Sequence, residues 1–285
     1  LHQIAPFLPK EKSVYIGTMY GQAGFNWMME EIIREHSLTG VTYFAYGLIP
    51  WISRTAEYGR HGITFGSKAV NVVAVSDPDK FEFLNDNLLR HICEDWFRTG
   101  AARRAENFLS LTLSVDNQII HPTRCYGLYR RYGAVWKNKA EVPYFYRDYD
   151  DLSADYLQLL DNDYSLVREE LRRRFPELDF RYMLNYLDLE HLSYNSSSAD
   201  IKSSFSESRT LREIGTPVVQ RPDGMWELDY SHRFFMDDYT YGVCIAKWFA
   251  EQMALSTPMI DELIGWLGQI RKEPLLDGTG KLRLD

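Results

Sequence analysis

Two stretches of the chain gather the residue types that move protons and grip carboxylates. One reads Asn117-Gln118-Ile119-Ile120-His121-Pro122. The other spans Asp229 to Gly242 and holds His232, Arg233, Asp237 and Asp238. An imidazole titrates near neutral pH, so His121 at the start of a helix can act as a general acid or base, with Pro122 holding that start rigid. The competing reading is a partly buried histidine bonded to a backbone carbonyl. A guanidinium forms paired hydrogen bonds with a carboxylate, which suits Arg233 to anchoring an amino or keto acid. It suits a salt bridge to Asp237 or Asp238 equally well. Asp238 can orient His121 and raise its basicity if the fold brings them together. It can also be the first-turn acid of a helix starting near Tyr241, where the helix dipole favours negative charge.

The elements that must position these residues differ between the two ends of the chain. Residues 1–8 read as the end of a helix closed by Pro9. A strand is expected at 14–17, a turn through Gly21 and Gly24, a helix at 25–36 and a strand at 41–46. Strands at 62–66 and 70–75 are expected to pair through a turn at Ser67 and Lys68, and Asp77 to cap a helix over 79–92. From Glu106 onward strand signals almost vanish, and helices are expected at 109–113, 155–175, 180–192, 241–253 and 259–267, the last opened by Thr257-Pro258. Gly100 to Arg104 reads as a linker. The serine-rich stretch 193–208 reads as a solvated loop or a mobile lid, and the tail after Lys272 as a surface extension. The expectation is an α/β domain over 1–105 and an all-α domain over 106–285.

Composition narrows the function classes. The chain has 285 residues, 45% of them apolar, enough for one large or two moderate cores. A net charge of −8 disfavours nucleic acid and anionic membranes as main partners. Cys93, Cys125 and Cys244 are far apart and odd in number, so neither a disulfide framework nor a metal site is expected, and a reducing, cytoplasmic setting fits. No apolar run is long enough to span a bilayer, and no signal peptide opens the chain. The chain begins at Leu1 inside an amphipathic pattern, which reads as a lost beginning. A dinucleotide-binding turn needs Gly-x-Gly-x-x-Gly between strand and helix. That pattern is absent. Gly17, Gly21 and Gly24 follow a strand with spacings of four and three, so the α/β domain reads as incomplete.

Taken together, Asn117, His121-Pro122, Arg233 with Asp238, Gly242, and Thr257-Pro258-Met259-Ile260-Asp261 resemble the NAD/NADP-linked octopine/nopaline (opine) dehydrogenases. Phe44-Ala45, Ile49-Pro50-Trp51 with Arg54, Gly59, and Gly66-Ser67-Lys68 resemble the second half of that family's Rossmann domain. The resemblance implies a partial Rossmann-like sheet domain followed by a helical substrate and catalytic domain, similar to the C-terminal domain of 6-phosphogluconate dehydrogenase. It implies reductive condensation of an α-keto acid with the amino group of an amino acid, with NAD or NADP as cofactor, by a monomer or homodimer. His121 would be the acid/base, Asp238 its partner, and Arg233 the holder of a substrate carboxylate. Asn117 and Tyr241 would border the substrate, and Arg54 and Asn117 the cofactor. Two departures stand out: the Gly-rich first βαβ unit is absent, leaving this chain alone without evident cofactor binding, and Tyr239-Thr240-Tyr241 replaces a more apolar, proline-containing turn. The alternatives are a 2-hydroxyacid or ketopantoate-type reductase of the same superfamily, and a non-catalytic relative that keeps the helical domain as an interaction surface.

Overall fold

Runs of β-branched and aromatic residues become strands wherever both of their faces can be covered. In the computed structural model, which describes residues 1–208 and 210–283, β1 (Val14–Thr18) lies parallel to β2 (Val41–Tyr46), with α1 (Phe25–Glu35) as the crossover that a parallel pair requires. A hairpin follows, β3 (Trp51–Glu57) with β4 (His61–Ser67). Next, β5 (Val70–Val75) runs antiparallel to β2 and parallel to β6 (Ala101–Ala105), giving the order β1-β2-β5-β6. Between β5 and β6 come α2 (Phe81–Leu84), a π-helical turn at Asn85–Leu89, and α3 (Arg90–Phe97). The Asp77 carboxylate accepts the Asp79 N–H at the head of this stretch. After β6 comes α4 (Leu109–Thr112).

The alternation of side chains along β2 and β5 explains the burial. Tyr43, Ala45, Val72 and Ala74 share one apolar face with Phe25 and Met29 of α1 and with Leu111. Phe44, Tyr46, Val73 and Val75 share the opposite face with Phe81, Leu84 and Leu89. Two expectations are corrected here. The strand at 61–67 pairs with 51–57, not with 70–75, because the polar run Ser53-Arg54-Thr55 hides an exposed strand. Gly100 to Arg104 is not a linker: Ala101–Ala105 is the sheet's edge strand, and Asn71 Nδ2 donates to the Gly100 carbonyl at 2.8 Å. The sheet is mixed, because the chain returns from β2 to β5 through a hairpin instead of a crossover helix.

This compact unit comprises Leu1–Val115 together with Phe175–Leu184 and Asp188–Ser196. The later segments are tied in by specific bonds. Asn107 Nδ2 donates to the Asp179 carbonyl at 2.9 Å, Ser114 Oγ donates to the Tyr182 carbonyl at 2.7 Å, and Ala69 N donates to the Ser193 carbonyl at 2.6 Å.

The second unit comprises Asp116–Arg174, Asn185–Leu187 and Ser197–Asp285. It begins with α5 (Asn117–Tyr132), β7 (Val135–Trp136) and α6 (Asp151–Arg174). On α6, Leu157, Leu160, Tyr164, Val167 and Leu171 recur every three or four residues and are all buried, so one face of the helix is core. α7 (Tyr186–Tyr194), whose residues from Asp188 onward are counted in the first unit, starts six residues later than expected, where Asp161 accepts the Tyr186 N–H at 3.0 Å. Then come α8 (Ile201–Ser206), β8 (Val218–Gln220), β9 (Trp226–Leu228), α9 (Arg233–Met236), a π-helical turn at Tyr239–Val243, α10 (Cys244–Gln252) and α11 (Pro258–Arg271). The expected loop over 193–208 holds only in part: residues 193–194 close α7 and 201–206 form α8, where Asp200 and Ser203 make a capping box and Phe205 is buried against Tyr149 and Tyr186. The short strands β7, β9 and β8 form a small sheet that the polar sequence did not announce. Among the described residues no helix is long and apolar enough to cross a membrane.

Candidate active site

His121 lies in the second turn of α5, which opens where the Asp116 side chain accepts the Asn117 N–H. Pro122 therefore sits inside the helix and not at its start, a correction: the ring costs the Gln118 carbonyl its helical partner. His121 is 1% exposed and Asp238 4%. His121 Nδ1 and Asp238 Oδ2 are 2.8 Å apart, and His121 Nε2 and Tyr146 Oη are 2.9 Å apart. As a carboxylate, Asp238 accepts the Nδ1 hydrogen, which leaves Nε2 to accept the hydrogen of the Tyr146 hydroxyl. The Phe234 ring stacks on His121 at 3.6 Å and 22°, and Phe145 meets it edge-on at 5.7 Å. The alternative of a histidine on a backbone carbonyl is thus replaced by a side-chain network.

Asp238 heads the π-helical turn Tyr239–Val243 but makes no side-chain cap bond. Its carboxylate goes to His121 instead. Gln118 holds the two elements in register. Its Nε2 donates to the Tyr241 carbonyl at 3.0 Å, and its side chain lies where a Cβ on Gly242 would come within 2.7–2.8 Å. Any larger residue at 242 would push Gln118 away and loosen the grip of Asp238 on His121.

Arg233 is the first residue of α9, behind His232, whose Nδ1 accepts the Phe234 N–H. Burial, and then the neighbouring Arg233 charge, hold His232 below the usual imidazole range. The neutral ring can therefore accept that bond at neutral pH. The Arg233 guanidinium is exposed and lies 5.2 Å from the Phe234 ring, the same ring that stacks on His121. Among the described residues it pairs with no carboxylate, so the expected alternative of a bridge to Asp237 or Asp238 is not realised. Asn117 is half-buried at the head of α5, and Tyr241 is 57% exposed in the π-helical turn. Arg54 belongs to the other unit, exposed on β3, and donates to the neighbouring Ser53 carbonyl.

Tyr146, Phe234 and Gln118 escaped the sequence reading. Tyr146 sits in the irregular segment between β7 and α6. Arg124, three residues after His121 on α5, fixes that segment: Nε donates to the Phe145 carbonyl at 2.9 Å, and Nη2 to those of Tyr144 at 3.2 Å and Asp148 at 2.8 Å. Burial lowers the Arg124 pKa, and Asp150 at 3.4 Å opposes that. The only available signal was an arginine one helical turn from a chemically apt histidine.

The family described as NAD/NADP octopine/nopaline dehydrogenase, alpha-helical domain, matches residues 104–271. The chain belongs to that family. This makes it an oxidoreductase of the NAD(P)-linked opine dehydrogenase type. The octopine dehydrogenase of Pecten maximus is 26% identical to it over 98% of this chain and 69% of that protein. The tauropine dehydrogenase of Arabella iricolor is 22% identical over 92% of this chain and 66% of that protein. Among solved structures, octopine dehydrogenase with NADH and L-arginine superposes with a TM-score of 0.78 at 21% identity, covering 99% of this chain and 68% of that chain. The complex of octopine dehydrogenase with NADH and agmatine gives 0.79 at 21% identity, covering 98% and 67%. These likenesses bear out the α/β-plus-helical architecture.

Asn117, His121, Tyr146, Arg233, Asp238 and Tyr241 all fall inside the stretch matched to the opine dehydrogenase family's helical domain. The fit to a dinucleotide is narrower. The β1–α1–β2 frame is of the right kind, but Gly21 is not part of an open phosphate cradle. A Cβ there would meet the Ala45 side chain at 2.3 Å, and its N–H is spent on the Tyr46 carbonyl. The glycines of this turn serve packing within the unit, and no phosphate contact is assigned to them.

Proposed function

We propose that this protein carries out the reductive condensation of an α-keto acid with the amino group of an amino acid, yielding a secondary amine. The observation that carries the proposal is the buried His121–Asp238 pair beside Arg233, which pairs with no carboxylate among the described residues. A proton donor with a fixed tautomer and an exposed guanidinium share the Phe234 wall. NADH or NADPH, when bound, supplies the hydride. The chain's own residues do the rest. Arg233 holds a substrate carboxylate through paired hydrogen bonds. His121 takes a proton from the attacking ammonium and returns one to the departing oxygen, which leaves as water. Asp238 stabilises the imidazolium in between. Asn117 and Tyr241 border the substrate. Three cysteines without disulfide partners support a cytoplasmic setting, with the protein a monomer or homodimer.

The test follows NAD(P)H oxidation in the full-length enzyme with pyruvate and pooled amino acids. Consumption should require both substrates, and His121→Ala or Asp238→Ala should each lower turnover by about a hundredfold or more. Consumption with pyruvate alone would assign the chain to the hydroxyacid reductases instead. Wild-type turnover in both variants would remove His121 and Asp238 from the chemistry.

A further inference from the structure

The nitrogen that must exchange a proton in the reaction proposed above is covered. Asp238 occupies Nδ1 of His121, and the Tyr146 hydroxyl occupies Nε2 at 2.9 Å. One ring face is stacked on Phe234, Phe145 closes an edge, and the whole residue is 1% exposed. A substrate atom reaches Nε2 only if Tyr146 leaves, and Tyr146 is held. Its ring, 6% exposed, packs edge-on against Phe145 at 5.0 Å and against Phe205 at 5.6 Å. The backbone on both sides is bound by Arg124. Swinging the ring away would break those contacts, whereas passing a proton through its hydroxyl moves nothing but hydrogen.

We propose that the Tyr146 hydroxyl, not His121 itself, meets the substrate, and that it relays the His121 proton outward. The proposal rests on His121 being the acid/base. In the outward step the Tyr146 O–H bond breaks as a new O–H bond forms on the departing oxygen of the carbinolamine. The Nε2–H bond of the imidazolium breaks as the Tyr146 O–H is remade. Tyrosine ends unchanged, His121 ends neutral and keeps its Nδ1 hydrogen, still donated to Asp238, and no electrons change hands. The inward step, in which the ammonium of the amino acid gives up a proton before attack, runs the same path in reverse and reloads Nε2. Sequence spacing offers no pointer to this role, because Tyr146 lies 25 residues from His121 in a segment without regular structure.

The experiment is Tyr146→Phe in the full-length enzyme, assayed with pyruvate, pooled amino acids and NAD(P)H. The ring is retained, so the aromatic packing survives. Turnover should fall by roughly a hundredfold with KM values little changed. The double variant Tyr146→Phe with His121→Ala should be no slower than His121→Ala alone, since both cut one path. Rates in mixtures of light and heavy water should curve for the wild type, with more than one proton in flight, and become linear for Tyr146→Phe. Should the phenylalanine variant fold poorly, Tyr146→3,5-difluorotyrosine keeps the hydroxyl but makes it more acidic, and the pH profile of turnover should then move to lower pH. A Tyr146→Phe enzyme as fast as the wild type or faster, with His121→Ala still dead, would overturn the relay and leave the acid/base reading standing. Full turnover in His121→Ala would overturn both.

Discussion

At the scale of single residues, the proposed chemistry rests on side chains committed to one another and on one, Arg233, that pairs with no carboxylate among the described residues. His121 and Asp238 are spent on each other, and Tyr146 on His121. The Arg233 guanidinium is exposed at the head of α9, beside the ring they share. A charge-assisted hydrogen bond contributes about 1.5–3 kcal/mol, and each 1.4 kcal/mol is roughly a factor of ten in affinity. Arg233→Ala should therefore raise the KM for the keto acid by about tenfold or more, with a smaller change in kcat. Arg233→Lys should recover only part of the loss, because an ammonium cannot match both carboxylate oxygens at once. Steady-state kinetics with pyruvate as the varied substrate checks this, and an unchanged KM in Arg233→Ala would place the anchor elsewhere. His121, Asp238 and Arg233 were visible in the sequence because their types are apt for proton transfer and carboxylate binding. Tyr146 and Phe234 were not. An aromatic residue has no characteristic spacing, and Tyr146 reaches His121 only because the buried Arg124 pins an irregular segment beside it.

At the scale of elements, periodic apolar faces were legible and the ends of helices were not. Leu157, Leu160, Tyr164, Val167 and Leu171 announce α6 by spacing alone, and Thr257-Pro258 announces α11. The cap of α11 is a tertiary feature. Thr257 makes no side-chain cap bond. Asp163 of α6 instead accepts the Met259 N–H at 2.8 Å and the Ile260 N–H at 3.0 Å. Asp163→Ala would leave two buried donors unpaired and should lower stability by about 2 kcal/mol. Asp163→Asn keeps an acceptor and should lose less. Burial is the main cause that raises the Asp163 pKa, against the pull of those two N–H groups. A carboxyl raised on folding binds its proton more tightly in the folded state. Wild-type stability attributable to this group is therefore complete below the unfolded carboxyl value, about 3.9, and declines as pH rises through the raised folded value. Asparagine does not titrate, so the deficit of Asp163→Asn against wild type should be largest in acid and shrink toward neutral pH. Thermal melts of both variants across that range measure it, and a deficit that grows toward neutral pH would show that the bonds to α11, not burial, set the pKa.

At the scale of the whole molecule, chain order and spatial grouping part company, and this is where a linear reading has least purchase. The texture of the sequence changes near residue 105, yet the sheet unit goes on to Val115 and then takes in Phe175–Leu184 and Asp188–Ser196 from beyond α6. Nothing in the composition of those later segments marks them as belonging to a sheet unit. They belong because they supply what the sheet lacks. Tyr182 and Leu192 pack on the apolar face formed by Phe25, Met29, Ala45, Val72 and Ala74, as do Phe108 and Leu111. Ser193 and Ser114 offer carbonyls to Ala69 N and to Gln22 Nε2, and Tyr194 receives the Lys68 ammonium. Fully burying an apolar side chain contributes about 1.5–3 kcal/mol and a hydrogen bond about 1 kcal/mol, so the buried Leu111, the half-buried Phe108, Tyr182 and Leu192 and these bonds together reach the lower part of the roughly 5–15 kcal/mol that holds a typical domain folded. A fragment of residues 1–105, cut where the sequence changes texture, should therefore show no cooperative thermal transition by circular dichroism and should bind a hydrophobic dye. The intact chain should melt sharply and leave the dye free. A fragment 1–105 that melts sharply on its own would mean that the sheet closes its face without the later segments, and that the cut suggested by texture is also the cut between folding units.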